Sequence, residues 1–379
     1  MVYYDIGKGV KQLAKEFKKR ACLEPIIPYM PGKPIEEVER ELGISDIIKM
    51  ASNENPIGPS PRVLTAISDY LPKISLYPDG SAYYLKQTLA AHLGVAEQNI
   101  ICGNGADELI ILSGTAYLNP GDEIIICHPT FSEYEFTARI MDAVPVRVPS
   151  VNFGHDLPAM LAAVTARTKI IYICNPNNPT GTMLTHAELE AFIRDVPPHI
   201  LVVMDEAYHE YVTDLAYVRS IEFLQAGYNV FILRTFSKIY GLAGLRVGYG
   251  LARPEIIADI NTVREPFNVN VLAQIAARAA LEDREHVQAV RDANTQGRAY
   301  LSQEFARMGL SHVPSQANFI FVDVGVEARA LFQRLLQKGV IVRPGDIFGC
   351  PRHVRVSFGT AEQNRRFIRT LDETLREMV

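Results

Sequence analysis

The chain has 379 residues, 48% hydrophobic and 21% charged, with a formal net charge of -5, a balance expected of a soluble protein that buries a large core, most simply in two domains. Mild acidity gives no general electrostatic footprint for nucleic acid or an anionic membrane, and no apolar run reaches the roughly 18 residues of a membrane span. The five cysteines, Cys22, Cys102, Cys127, Cys174 and Cys350, are odd in number and form no C-x-x-C pair, which points to reduced thiols in the cytoplasm rather than to disulfides, zinc or another metal.

The first stretch, "KGVKQLAKEFKKRACLEP", is basic and places Val10, Leu13, Ala14, Phe17 and Ala21 at helical spacing. It lacks a secretory apolar core and follows Asp5 and contains Glu16, so residues 1–28 are expected to form an arm packed on a partner subunit. Residues 22–61 are rich in proline and turn formers and read as extended segments that wrap the core. From about residue 99 to 251 seven apolar runs recur: "NIIC", "EIIIC", "PVRV", "KIIYIC", "ILVVM", "NVFIL" and "RVGYGLA". Runs apolar on both faces and rich in Val and Ile predict a mostly parallel sheet covered by helices. Thr185 with Glu188 makes a capping box that opens a helix at "THAELEAFIRDV". After "REPFNVNVLAQ" a helical tract is expected from Val271 to Met308, followed by three strands, "NFIFVDV", "GVIVRPG" and "HVRVSFG", in a smaller α+β unit.

Four ligand-like features follow strands of the expected sheet, where open α/β sheets bind ligands. "IICGNGADELI" turns at Gly103-Asn104-Gly105 into a helix starting near Ala106, whose free N–H groups suit a phosphate. Glu108 replaces the third glycine of a dinucleotide fingerprint, and a plain tight turn is the competing explanation. In "CNPNNPTG" the prolines hold an extended loop from which Asn177 or Asn178 can aim an amide, although asparagines there are commonly turn formers. In "ILVVMDEAYHEY" Asp205 ends an apolar run, where a carboxylate needs a cation or strong donor unless it serves only as a helix cap, and Tyr208 lies three residues on. In "RTFSKIYGLAGLRVG" Lys238 stands with Thr235, Ser237 and Arg246, outside the order of a nucleotide P-loop. A lone lysine is usually solvated, but together the four features describe what pyridoxal phosphate needs: an amine for its aldehyde, a carboxylate for its ring nitrogen and a cradle for its phosphate.

The chain resembles the fold-type I pyridoxal-phosphate aminotransferases, and within them the histidinol-phosphate aminotransferase family, through "PYMPGKP", "ASNENP", "YPDG", "GNGADEL", "CNPNNPTG", "DEAYHEY" and "SKIYGLAGLRVG". The resemblance implies a three-layer aminotransferase fold, with a large pyridoxal-phosphate-binding domain over residues 54–275 and a small domain from 29–53 and 276–379. It implies Lys238 as Schiff-base lysine and proton carrier, Asp205 on the ring nitrogen, and Asn178 and Tyr208 on the ring oxygen. Ala106, Asp107, Thr235, Ser237 and Arg246 would surround the phosphate, Tyr134 would stack on the ring, and Tyr77 would reach the phosphate from the partner subunit of a homodimer. Arg355 would take the substrate's acid group, with Arg343 as a second anion contact and Tyr29 and Asn55 at the substrate mouth. Phe131 stands where tyrosine is frequent, a departure expected to touch only a peripheral contact. The implied reaction is ping-pong transamination between histidinol phosphate and 2-oxoglutarate. Competing readings are an aromatic amino-acid aminotransferase, an amino-acid-phosphate decarboxylase, and a non-catalytic pyridoxal-phosphate-sensing module, for whose DNA-binding domain the 28 residues before Tyr29 are too few.

Overall fold

The structure, a computed structural model, describes residues 18–24, 26 and 32–378. All seven apolar runs are strands: β1 (Ile100–Gly103), β2 (Glu123–His128), β3 (Val144–Pro149), β4 (Thr168–Cys174), β5 (Leu201–Asp205), β6 (Val230–Thr235) and β7 (Gly248–Leu251). They form one sheet in the order β1-β7-β6-β5-β4-β2-β3. Only β7 runs antiparallel to its neighbours, β1 and β6; the other pairs are parallel.

The uninterrupted apolarity of these strands has a direct cause. Alternate side chains point to opposite faces, and each face has its own core. Ile125, Ile171, Val202 and Ile232 pack into one apolar cluster, while Ile124, Ile170, Val203 and Leu233 pack into the other. The capping box forms as expected, with the Thr185 side chain accepting from the Glu188 N–H and the Glu188 carboxylate accepting from the Thr185 N–H.

Three expectations need correction. Residues 22–61 are not wholly extended, because Ile35–Leu42 is a helix with acids in its first turn, Arg40 in its last, and left-handed Gly43 as its stop. The tract from Val271 is two helices, α2 (Val271–Glu282) and α3 (Arg284–Arg307); Asp283 separates them and caps the second through the His286 N–H. "GVIVRPG" is split: Val340–Ile341 pairs in parallel with Ile48–Lys49, whereas Arg343–Pro344 joins a second sheet.

That second sheet contains β8 (His312–Val313), β9 (Phe319–Asp323), β10 (Arg343–Pro344) and β11 (His353–Ser357), antiparallel in the order β10-β11-β9-β8. Its core draws in Val38, Met50, Leu301, Phe305 and Phe367. Helix α3 bridges the two units, since Val290 packs with the large sheet and Leu301 with the small one. Most of the basic arm lies outside the described residues.

Gly248 is a close-approach position. A Cβ there would stand 2.7 Å from the Ala106 nitrogen and 2.9 Å from the Arg234 carbonyl oxygen, both backbone atoms with little freedom to move. Gly248→Ala should lower stability by about 1–3 kcal/mol, read as a lower denaturant midpoint; an unchanged midpoint would show that β7 yields without cost.

Candidate active site

The parallel strands β4, β5 and β6 end on one edge, and their register sets the ends side by side: Cys174 opposite Asp205, and Thr235 opposite Gly248, which also pairs with Gly103 of β1. Antiparallel β7 begins at this edge, so Arg246, two residues upstream, arrives where the other strands depart. A cavity of about 430 Å³ opens there and is closed on its far side by residues of the small sheet.

One corner is built for an anion. Gly105 (φ 84°) turns the chain into helix α1 (Ala106–Tyr117), whose start has no side-chain cap, leaving N–H groups at Ala106 and Asp107 directed outward. The Thr235 hydroxyl donates to Ser237 Oγ at 3.0 Å and accepts from the Ser237 N–H at 3.1 Å. Arg246, itself left-handed at φ 55°, donates to Ser237 Oγ at 3.4 Å and to Asp107 Oδ2 at 3.2 Å. A Cβ on Gly105 would lie 2.5 Å from Arg246 Nη2, so glycine is what lets the guanidinium rest over the helix start.

Asp205 lines the cavity with 4% of its surface exposed. Its Oδ2 accepts from the Tyr134 hydroxyl at 2.6 Å and its Oδ1 from the Ala207 N–H at 3.1 Å. Burial pushes the carboxyl up to about 6, against the pull of these two donors. Lys238 is half-buried, with Nζ donating to the Ser52 carbonyl at 3.3 Å. Burial, reinforced by the charge of Arg355, lowers its amine to about 8. Tyr208 accepts at its hydroxyl from Asn53 Nδ2 at 3.0 Å, and burial raises its pKa.

Asn177 and Asn178 separate in role. Asn177 is fully buried, accepts from the Thr130 hydroxyl at 2.8 Å and donates to the Pro129 carbonyl at 3.0 Å, tying two loops together. Asn178 lines the cavity and accepts from Arg355 Nη1 through Oδ1, which leaves its N–H groups as the cavity-side donors. Arg355 also donates to the Ala51 carbonyl at 2.6 Å. In the antiparallel β10–β11 pair Arg343 stands directly opposite Arg355, and both line the cavity.

Three expected residues fall elsewhere. Tyr134 does not face the cavity: it has no exposed surface, stacks on Tyr172 at 4.7 Å between ring centroids and backs Asp205, while Phe131 lines the cavity instead. The correction has a local cause: Phe131 lies in the loop ahead of helix Glu133–Ile140, whereas Tyr134 is the second residue of that helix and turns its ring into the core. Asn55 likewise points away, donating to the Ile239 carbonyl at 2.9 Å and the Gly58 carbonyl at 3.2 Å; Asn53 occupies the cavity wall. Tyr77 is 83% exposed, stacked on Phe267 at 4.8 Å, and is not part of this chain's own cavity. Tyr29 lies outside the described residues. Sequence reasoning also passed over Glu133, a cavity carboxyl raised to about 7 by burial and by neighbouring Asp107. Among the described residues no acid, histidine and cysteine cluster could hold a metal.

Known proteins resemble the chain over most of its length. The family model described as aminotransferase class I and II matches residues 45–371. A histidinol-phosphate aminotransferase of Moorella thermoacetica is 57% identical over 94% of this chain and 93% of its own length, and one of Caldicellulosiruptor saccharolyticus is 47% identical over 94% and 99%. The chain belongs to the histidinol-phosphate aminotransferase family. Among solved structures, the histidinol-phosphate aminotransferase of Sinorhizobium meliloti in complex with pyridoxal-5'-phosphate superposes with a TM-score of 0.90 at 30% identity, covering 97% of this chain and 100% of that one. The residues of this aminotransferase fit that cofactor's chemistry: an uncapped helix start with two hydroxyls and a guanidinium, an amine of lowered basicity, and a buried acid across the same cavity.

Asp205 also sets a measurable cost. Its carboxyl holds a proton more tightly in the folded chain, at about 6, than at the ordinary 3.8, so folding gains as pH falls through that window and the buried charge opposes folding above it. In the cofactor-free protein Asp205→Asn should raise stability above pH 6 by about 1–3 kcal/mol, a gain that disappears below about pH 4. Denaturant titrations at several pH values read this directly, and no gain at high pH would mean that the carboxylate is fully compensated.

Proposed function

We propose that this aminotransferase exchanges an amino group between histidinol phosphate and 2-oxoglutarate in histidine biosynthesis, in the cytoplasm, with pyridoxal phosphate as cofactor. The observation that carries the reading is the convergence of Lys238, Asp205 and the α1 anion corner with Arg343 and Arg355 in one cavity.

Ala106, Asp107, Thr235, Ser237 and Arg246 would hold the cofactor phosphate, Asp205 would face its ring nitrogen, and Asn178 and Tyr208 would donate to its ring oxygen. Phe131, rather than Tyr134, would cover the ring. When bound, pyridoxal phosphate supplies an electron-withdrawing ring and an aldehyde that carries the amino group. Lys238, whose amine burial lowers to about 8, would move the proton from the substrate α-carbon to the cofactor carbon that bears the amino nitrogen, and run that transfer in reverse in the second half-reaction. Arg343 and Arg355 bind the carboxylate of one substrate and the phosphate monoester of the other, since a guanidinium forks onto either. The large sheet with an apolar cluster on each face then serves as the cofactor-binding domain, and the small sheet with its own core as a small domain that brings the arginines, dividing the chain near residues 54 and 275.

A homodimer with shared sites is part of the same proposal. Ile74, Leu76, Tyr77 and Phe267 form an exposed apolar patch around the Tyr77 ring, which suits burial against a partner and delivery of Tyr77 to the partner's phosphate corner. Sedimentation should give twice the chain mass of 42.2 kDa; a monomer with full cofactor affinity would refute the sharing.

The substrate is tested by mixing the cofactor-loaded enzyme separately with histidinol phosphate, glutamate, phenylalanine and tyrosine and following the absorption of the bound cofactor. Histidinol phosphate and glutamate should bleach it; bleaching by phenylalanine with none by histidinol phosphate would make the enzyme an aromatic aminotransferase. Lys238→Ala should lower turnover by at least about a hundredfold, and retained transamination would remove Lys238 from the mechanism.

A further inference from the structure

Asn53 occupies the cavity wall with 1% of its surface exposed and a left-handed backbone (φ 57°). Four hydrogen bonds define it. Its backbone N–H donates to Ser357 Oγ at 2.8 Å, and the Ser357 hydroxyl donates to Asn53 Oδ1 at 2.9 Å. Its carbonyl accepts from Asn318 Nδ2 at 2.9 Å, and its own Nδ2 donates to the Tyr208 hydroxyl at 3.0 Å. Ser357 ends β11 and Asn318 precedes β9, both in the small sheet, whereas Tyr208 follows β5 of the large one.

The serine decides which end of the amide meets the phenol. Because Ser357 gives its hydrogen to Oδ1, the group left for Tyr208 is the amide N–H, which can only donate. A phenol oxygen that accepts from Asn53 keeps its own hydrogen for another acceptor, and Tyr208 lines the cavity. Ser357 is moreover two residues from Arg355 on the same strand, so the side chain that orients the phenol and the one that takes the substrate's anion share one rigid element.

We infer that Asn53 is a positioning residue: it turns the Tyr208 O–H toward the cofactor's ring oxygen and, through Ser357, ties that orientation to the small sheet carrying Arg355. This rests on the reading above that Tyr208 meets the cofactor. A clasp that merely joined the two units would also show these bonds, but its loss would not depend on the phenol.

The test is a double-mutant cycle with Asn53→Ala and Tyr208→Phe, read as the cofactor dissociation constant and as the pH midpoint at which the absorption of the bound cofactor titrates, with thermal melting alongside. Asn53→Ala should weaken cofactor binding about threefold to tenfold and raise the midpoint, and should change neither in the Tyr208→Phe background. Equal effects in both backgrounds, or none in the parent, overturn the inference. Should Asn53→Ala fold poorly, Ser357→Ala replaces it, with a smaller shift in the same direction that again disappears without the phenol. If instead the parent and Tyr208→Phe bind and titrate alike, the contact between Tyr208 and the cofactor is lost and this inference with it, a result distinct from additivity.

Discussion

A carboxylate at the buried end of a strand is the constraint around which this site is arranged. Asp205 has almost no contact with water, so it must receive hydrogen bonds from the protein or take up a proton. Tyr134 meets that need, and its ring is held by stacking on Tyr172, whose hydroxyl shares a hydrogen bond with Ser113 of helix α1 at 3.1 Å. The same helix opens the anion corner seven residues earlier. The two ends of the cavity, acid and phosphate cradle, are thus fixed relative to each other through one packed column rather than through flexible loops. Distance between them is set by core packing, which tolerates little change.

Topology supplies the rest. A fully parallel sheet would bring only departing chain to the carboxyl edge. Antiparallel β7, set between β1 and β6, instead starts at that edge, so Arg246 lies there just before it, and its own left-handed backbone aims its side chain back across the Gly105 turn. Glycine at 248 removes a side chain that would hold two backbone segments apart, whereas at 105 it both allows the positive φ of the turn and leaves room for the Arg246 guanidinium.

Most of this was legible in the sequence because it rests on local signals. Seven apolar runs specified seven strands, six of them buried on both faces and the edge strand β3 half exposed, and their ends specified where Asp205, Asn178 and Lys238 would meet. What was not legible depended on direction within short helices and loops. Phe131 and Tyr134 are both aromatic, three residues apart, and which of them faces the cavity depends on how the loop holding Phe131 enters the helix that begins at Glu133. Asn53 and Asn55 sit two residues apart in one proline-rich motif, and the left-handed turn at Asn53 settles which side chain reaches Tyr208. The split of "GVIVRPG" between two sheets has no local signal at all; it follows from pairing with the remote segments Ile48–Lys49 and His353–Ser357.

The opposition of Arg343 and Arg355 across two antiparallel strands reaches beyond substrate recognition. Cross-strand like charges repel, and here they do so in a partly desolvated cavity. An anion bound there meets two positive charges from adjacent strands, and a doubly charged phosphate is attracted to such a pair more strongly than a single carboxylate. A ligand gripped by both guanidiniums is thereby fastened to two neighbouring strands at once, so the pairing of β10 with β11 also fixes how the ligand is oriented.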